Sequence, residues 1–180
     1  MGEYYLSHVA WTVMERRIEI DGWKSGIRFS SCHMLLRHDK CSRLHGHTYC
    51  IHLRITGTVK EDMMLSDFGR VKEVLRGLAD SLDHRTIVPT SNEEIHVSDS
   101  EDGQNIVVRL GGRYYSIPRE DAILLPIRMS TAEEISRYLL DRFIKESGPL
   151  HNISRIELGV DEGMGQGAWC SLDLPVRGPG

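Results

Sequence analysis

Apolar residues along this chain keep two rhythms, one of period two and one of period three to four, and the switches between them mark the elements. From Glu15 to Ile20 polar and apolar residues begin to alternate, and Asp21-Gly22 predicts a turn. The run Ile27 to His33 puts Ile27, Phe29, Ser31 and His33 on one face. After a polar, basic loop from Arg37 to Leu44, His47 to Thr56 alternates clearly. His47, Tyr49, Ile51, Leu53 and Ile55 face one way, and Thr48, Cys50, His52, Arg54 and Thr56 the other, which predicts a half-buried antiparallel strand.

Helical spacing follows. Phe68, Val71, Leu75, Leu78 and Leu82 form an apolar stripe, with Ser66 or Asp67 as N-cap. A second helix, about Thr131 to Lys145, turns Ile135, Leu139 and Phe143 inward; Ser130 and Glu133 have capping-box spacing, and Gly148-Pro149 ends it. Strands at about Ile153 to Glu162 and Ala168 to Leu174 flank a Gly-rich turn, and Pro175 to Gly180 reads as a frayed tail. Between the helices, Ile106 to Leu110 and Arg113 to Ile117 read as a hairpin around Gly111-Gly112, with Glu93 to Val97 as a third strand. The order β-β-α-(hairpin)-α-β-β predicts the α+β class, in a single domain over 1–180 with an insertion at about 91–119.

Composition narrows the function classes. Hydrophobic residues at 40% and charged residues at 27% are ordinary for a globular protein. A formal net charge of -4 argues against nucleic acid as the main partner. No apolar stretch approaches the ~20 residues of a membrane span, and the N-terminus lacks a signal pattern, so no membrane role is expected. The four cysteines, Cys32, Cys41, Cys50 and Cys170, make no disulfide framework and read as thiols of a reducing compartment, so a cytoplasmic location is expected.

His45-Gly46-His47 is the most informative tripeptide. In a strand, residues two apart share a face; in a helix they diverge by about 200°. Both imidazoles therefore converge on one ion if the segment is extended, and His33 ends the preceding strand on the Phe29 face. Three histidine ligands leave zinc's fourth position open, the arrangement of catalytic zinc. The rival is a closed structural site that adds Cys32 or Cys41. The histidines His8, His38, His52, His96 and His151 read as ordinary polar groups.

Further chemistry is suggested nearby. Cys41 shares its loop with Lys40 and Arg43, cations that favour a thiolate able to act as base or nucleophile; the alternative is an incidental loop cysteine. Cys32, Cys50 and Cys170 read as packing residues. Asp83-His84 is either a carboxylate orienting a proton-transfer imidazole or a helix end favoured by the dipole. Glu162 has the parity of Ile156, Leu158 and Val160, so its carboxylate faces the buried side and needs donors, unless the strand has already ended.

Together these residues resemble the 6-pyruvoyl-tetrahydropterin synthase / 6-carboxy-tetrahydropterin synthase family. The matching pieces are Phe29-Ser30-Ser31-Cys32-His33, Cys41 to Tyr49, Leu65-Ser66-Asp67-Phe68, Leu82-Asp83-His84, Ser130-Thr131-Ala132-Glu133 and Val160-Asp161-Glu162, in family order. The resemblance implies that His33, His45 and His47 bind Zn2+ and that Cys41 is the catalytic thiol, with Asp83 and His84 as its proton-transfer partners. Glu162 would grip the pterin's amino-pyrimidine edge, assisted by Thr131 and Glu133. It implies the tunnelling fold, a four-stranded antiparallel sheet with two helices inserted after strand 2, assembled as a trimer or hexamer with active sites at subunit interfaces. The implied substrate is 7,8-dihydroneopterin triphosphate. The spacing of Cys41 to His45 resembles the 6-carboxytetrahydropterin synthases, lyases that release acetaldehyde and triphosphate in queuosine and archaeosine biosynthesis. Alternatives are the 6-pyruvoyl synthase, dihydroneopterin aldolase activity, and a non-catalytic zinc-stabilised pterin-binding oligomer. The chain departs from the family pattern at Cys32, where a small residue is usual, at Gly163, where threonine is common, and in the longer 91–119 hairpin.

Overall fold

The computed structural model describes residues 14–175, so His8 and the tail from 176 onward lie outside it. The two alternating runs form β2 (Arg28–His33) and β3 (His45–Gly57), antiparallel neighbours. β1 (Arg16–Ile20) also pairs with β3, and β9 (Ile153–Glu162) and β10 (Gly167–Asp173) extend the sheet beyond it. On the far side of β2 lie β4 (Arg85–Pro89) and β8 (Ala122–Leu125), giving a seven-stranded sheet.

This architecture is α+β but differs from the expected four-stranded antiparallel sheet. β4 and β8 join by parallel pairing. Such short strands carry no turn signal, because parallel neighbours need no hairpin. The inserted region is also more than a hairpin. β5 (His96–Asp99), β6 (Asn105–Leu110) and β7 (Arg113–Pro118) make a second, three-stranded sheet, and the third strand lies further along than Glu93 to Val97.

The described residues hold three helices rather than two. α1 (Gly22–Ser25) is one turn capped by Asp21. α2 (Phe68–Leu82) is capped by Asp67, whose side chain accepts from the Arg70 N–H. Val71, Leu75, Leu78 and Leu82 are buried as their spacing requires, whereas Phe68, in the first turn, stays 50% exposed. α3 (Ala132–Glu146) is capped by Thr131, one residue after the expected Ser130. Ser130 is instead fully buried, its hydroxyl donating to the Met34 carbonyl.

α2 and α3 cover the face of the sheet that carries Tyr49, Ile51, Leu53 and Ile55, and this is the main core. Truncating a side chain such as Leu78 there costs about 2–5 kcal/mol. A second cluster, including Met34, Val88, Ile106, Val108 and Ile117, fastens the three-stranded sheet beside β2 and β4. Cys50 has the outward parity of Thr48 and yet is fully buried. The backbone of α1 lies over it: a Cβ on Gly22 would stand 2.6 Å from the Cys50 Sγ and 2.0 Å from the Ile51 carbonyl oxygen, so only glycine fits. Cys32, expected to pack, is exposed, because the outer face of β2 is left uncovered there.

Candidate metal centre

Register assembles the centre. In the β2–β3 ladder His33 stands opposite His45 and Ser31 opposite His47, so all three histidines emerge on one face of adjacent strands. Their ring centroids lie 4.5, 5.1 and 5.0 Å apart, and one ligand atom from each falls within 4.8 Å of the others.

The outer hydrogen bonds fix the tautomers. His33 Nδ1 is 2.6 Å from the Ser130 carbonyl oxygen and His45 Nδ1 is 2.8 Å from that of Arg43. A carbonyl only accepts, so each Nδ1 carries the hydrogen and each Nε2 presents a lone pair. Those two Nε2 atoms face each other at 3.1 Å. Among the described residues, His47 Nε2 is buried without any partner. Two opposed lone pairs and an orphaned imidazole nitrogen are unfavourable alone and are relieved by one cation, so the donor set fits a metal ion. Burial pushes the His33 imidazole down to about 4, against the opposing effect of its Ser130 bond, so it is neutral at physiological pH, as a ligand must be.

Tyr49 continues the same face. Its ring stacks on Phe29 at 4.8 Å and meets His47 edge-on at 5.6 Å, while its hydroxyl is buried without a partner among the described residues. Glu162 stands opposite Tyr49 in the β3–β9 register. Its carboxyl is raised by burial, partly offset by His47 and His45. Glu162, Thr131 and Glu133 line one cavity of about 300 Å³ with Leu35 and Gln166, so the structure brings these three residues together.

The remaining predicted residues are placed elsewhere. Cys41 lies half-buried in a single 3-10 turn, Lys40–Ser42, whose position is fixed by the Leu35 N–H donating to the Cys41 carbonyl at 2.8 Å. Asp83 is held between the Ser30 N–H, 2.6 Å from Oδ1, and His84 Nδ1, 2.8 Å from Oδ2. Partial burial pushes the Asp83 carboxyl up, but the Ser30 N–H and the His84 ring together hold it below its ordinary value. His84 has a left-handed backbone (φ 56) and is exposed. It lines a groove of about 600 Å³ with Cys32, Thr48 and Arg85 that includes neither Cys41 nor Glu162. His52 is an ordinary polar group, as expected: Nδ1 accepts from the Gly22 N–H and Nε2 donates to Asp161. The carbonyls of Ser130 and Arg43 have no signal in the sequence, since backbone acceptors leave no mark there, and alternation places Tyr49 on this face without marking its hydroxyl.

Residues 23–172 match the family model described as 6-pyruvoyl tetrahydropterin synthase. A Methanocaldococcus jannaschii protein provisionally named 6-carboxy-5,6,7,8-tetrahydropterin synthase is 34% identical over 89% of this chain and 99% of its own length. The 6-carboxy-5,6,7,8-tetrahydropterin synthase of Haemophilus influenzae is 29% identical over 63% of this chain and 75% of its own. Among solved structures, the 6-pyruvoyl tetrahydropterin synthase of Plasmodium vivax superposes with a TM-score of 0.82 at 25% identity, over 89% of this chain and 99% of that one. Its Plasmodium falciparum counterpart gives 0.81 at 27% identity, with the same coverages. Among the described residues no helix is long and apolar enough to cross a membrane.

Proposed function

Because the chain belongs to the 6-pyruvoyl tetrahydropterin synthase family, we propose that it is a metal-dependent enzyme acting on the side chain of a dihydropterin triphosphate. The observation that carries this reading is the pair of facing lone pairs on His33 and His45 beside the unpartnered His47 Nε2. Zinc is the ion we assign, since three imidazoles with an open fourth position suit catalytic zinc. When bound it would polarise side-chain oxygens of the substrate.

The protein's own residues take the remaining roles. Glu162, with Thr131 and Glu133, holds the amino-pyrimidine edge, whose adjacent N–H donors match a carboxylate as a bidentate pair. Cys41 moves the carbon-bound proton. His84, oriented by Asp83, acts on the opposite side of the substrate. Because the His84 groove lacks Cys41, we assign the meeting of these groups to a subunit interface in a trimer or hexamer.

Two outcomes of this chemistry divide the comparisons. Elimination of triphosphate with all side-chain carbons kept, giving a 6-pyruvoyl product, is the better backed: the matched family and the Plasmodium structures carry that name. Loss of acetaldehyde and triphosphate, giving the 6-carboxy product, is favoured by the names of the curated relatives. Mass analysis of products from 7,8-dihydroneopterin triphosphate and the zinc-loaded protein separates them. Acetaldehyde marks the second outcome, and a product keeping all its carbons the first. Bound pterin without turnover would leave a pterin-binding oligomer, and absence of pterin binding would remove the proposal.

A further inference from the structure

The loop between β2 and β3 and the turn between β6 and β7 face each other across a groove that the chemistry above does not use. A cavity of about 560 Å³ there is lined by Leu36, Arg37, His38, Ser42, Glu94 and Arg113, with Asp39 and Gly111. It shares Glu94, Gly111 and Arg113 with a second cavity of about 400 Å³ that reaches Arg109 and Tyr114. The turn rests on the loop, for a Cβ on Gly111 would lie 3.7 Å from Leu36 Cδ1. Arg109 is held over the Tyr114 ring, 5.1 Å from its centroid. Three guanidiniums thus line one groove, two of them carried by the inserted sheet.

Arg37 adopts a left-handed backbone (φ 57), a conformation that a non-glycine residue keeps only at a cost. Its guanidinium pairs with Glu94. Both side chains are exposed, at 76% and 51%, so the pair itself contributes little, and an anion with several oxygens competes well for the arginine. Glu94 and Asp39 offset two of the positive charges. A ligand with anionic groups spaced along its length meets more than one of these guanidiniums at once and displaces Glu94 from Arg37 as it does so. The groove also adjoins the chemistry: Ser42, on its wall, follows Cys41 directly.

We infer that this groove is an oligophosphate subsite, in which Arg37, Arg113 and Arg109 hold the triphosphate tail of the substrate while Glu94 occupies Arg37 in its absence. This rests on the function proposed above, and the inserted sheet gains a role in substrate capture from it.

The test titrates the zinc-loaded protein with inorganic triphosphate and, separately, with neopterin, which lacks phosphate. Arg37→Ala and Arg113→Ala should each weaken triphosphate binding about tenfold, the scale of one lost charge-assisted contact. Glu94→Gln should strengthen it, because Arg37 is released. Neopterin affinity and zinc content should stay at wild-type values in all three variants, which also shows that they fold. Triphosphate affinity unmoved by both arginine variants overturns the inference, whether or not neopterin binds. Arginine-dependent triphosphate binding without neopterin binding supports the groove and overturns the pterin reading instead.

Discussion

His33 and His45 point their Nε2 atoms at each other across 3.1 Å, while the hydrogens on both Nδ1 atoms are committed to the carbonyls of Ser130 and Arg43. Neither ring can supply a hydrogen to that contact without surrendering its outer bond. A divalent ion removes the conflict, so its binding free energy becomes folding free energy. The purified protein is expected to hold one zinc per chain, and chelation to lower its melting temperature. At zinc a thousandfold above its dissociation constant the stabilisation is about 4 kcal/mol. His45→Ala and His47→Ala together should abolish both the metal content and the chelator sensitivity; full zinc in that double variant sinks the assignment.

The metal-free protein should lose stability on acidification because of His33. Its folded value is about 4 and its ordinary value 6.5, so between these the unfolded chain binds the proton that the folded chain refuses. The contribution is complete above pH 6.5, falls through the window and is flat below about 4, with a total of about 3 kcal/mol. Urea denaturation of chelated protein at several pH values measures it, with His33→Asn as the reference. Equal pH dependence in the two proteins rejects the argument.

Tyr49 gives a prediction of unusual sign. Its hydroxyl is fully buried with no hydrogen-bond partner among the described residues, so removing it relieves a desolvation cost and opens space for only one atom. Metal-free Tyr49→Phe is expected to be as stable as wild type or more stable by about 1 kcal/mol. Destabilisation beyond about 1 kcal/mol would show that the hydroxyl already has a partner in the resting protein.

Cys41 is expected to act chemically and Cys50 only structurally. Cys50 lies under Gly22, and burial pushes its thiol up to about 12, far from a reactive thiolate. Cys41→Ala should keep zinc and fold while turnover falls roughly 10²-fold or more, the scale of a lost proton-transfer group. Near-normal turnover in Cys41→Ala would move the proton transfer to another residue.

How much of this was legible in the sequence depends on the kind of contact. The β2–β3 face was readable because period-two alternation fixes which side chains share a side, and that parity carried His33, His45, His47 and Glu162 together. The inserted hairpin was marked by Gly111-Gly112. The parallel strands β4 and β8 were not, since Arg85–Pro89 and Ala122–Leu125 are short apolar runs that periodicity cannot distinguish from a loop or a helix end. Ser130 shows a different failure. Its capping-box spacing was genuine, but Thr131 sits equally well before the helix, and the Ser130 carbonyl was needed by His33. Burial of Cys50 against its parity came from a single turn of helix whose seat required only a glycine.

Glu162 is expected to anchor the pterin ring rather than take part in proton transfer. The argument begins with register: Glu162 stands opposite Tyr49, on the face that carries the three histidines, and it shares a cavity with Thr131 and Glu133. Burial raises its carboxyl and the Glu133 charge adds to that, so an unliganded carboxylate is poorly satisfied there. Two N–H donors from a pterin edge would supply what the protein does not. That contact exists in ground and transition states alike, so its loss raises KM and leaves kcat nearly unchanged. Glu162→Gln keeps the shape and replaces one acceptor with a donor, setting like against like at the ring edge. Pterin affinity should fall by about 1.5–3 kcal/mol, the range of a hydrogen bond to a charged group, with zinc content unchanged. Titration with a non-reactive pterin measures this directly. Wild-type affinity in the variant would make Glu162 a solvated strand end and require the ring to bind elsewhere on the sheet.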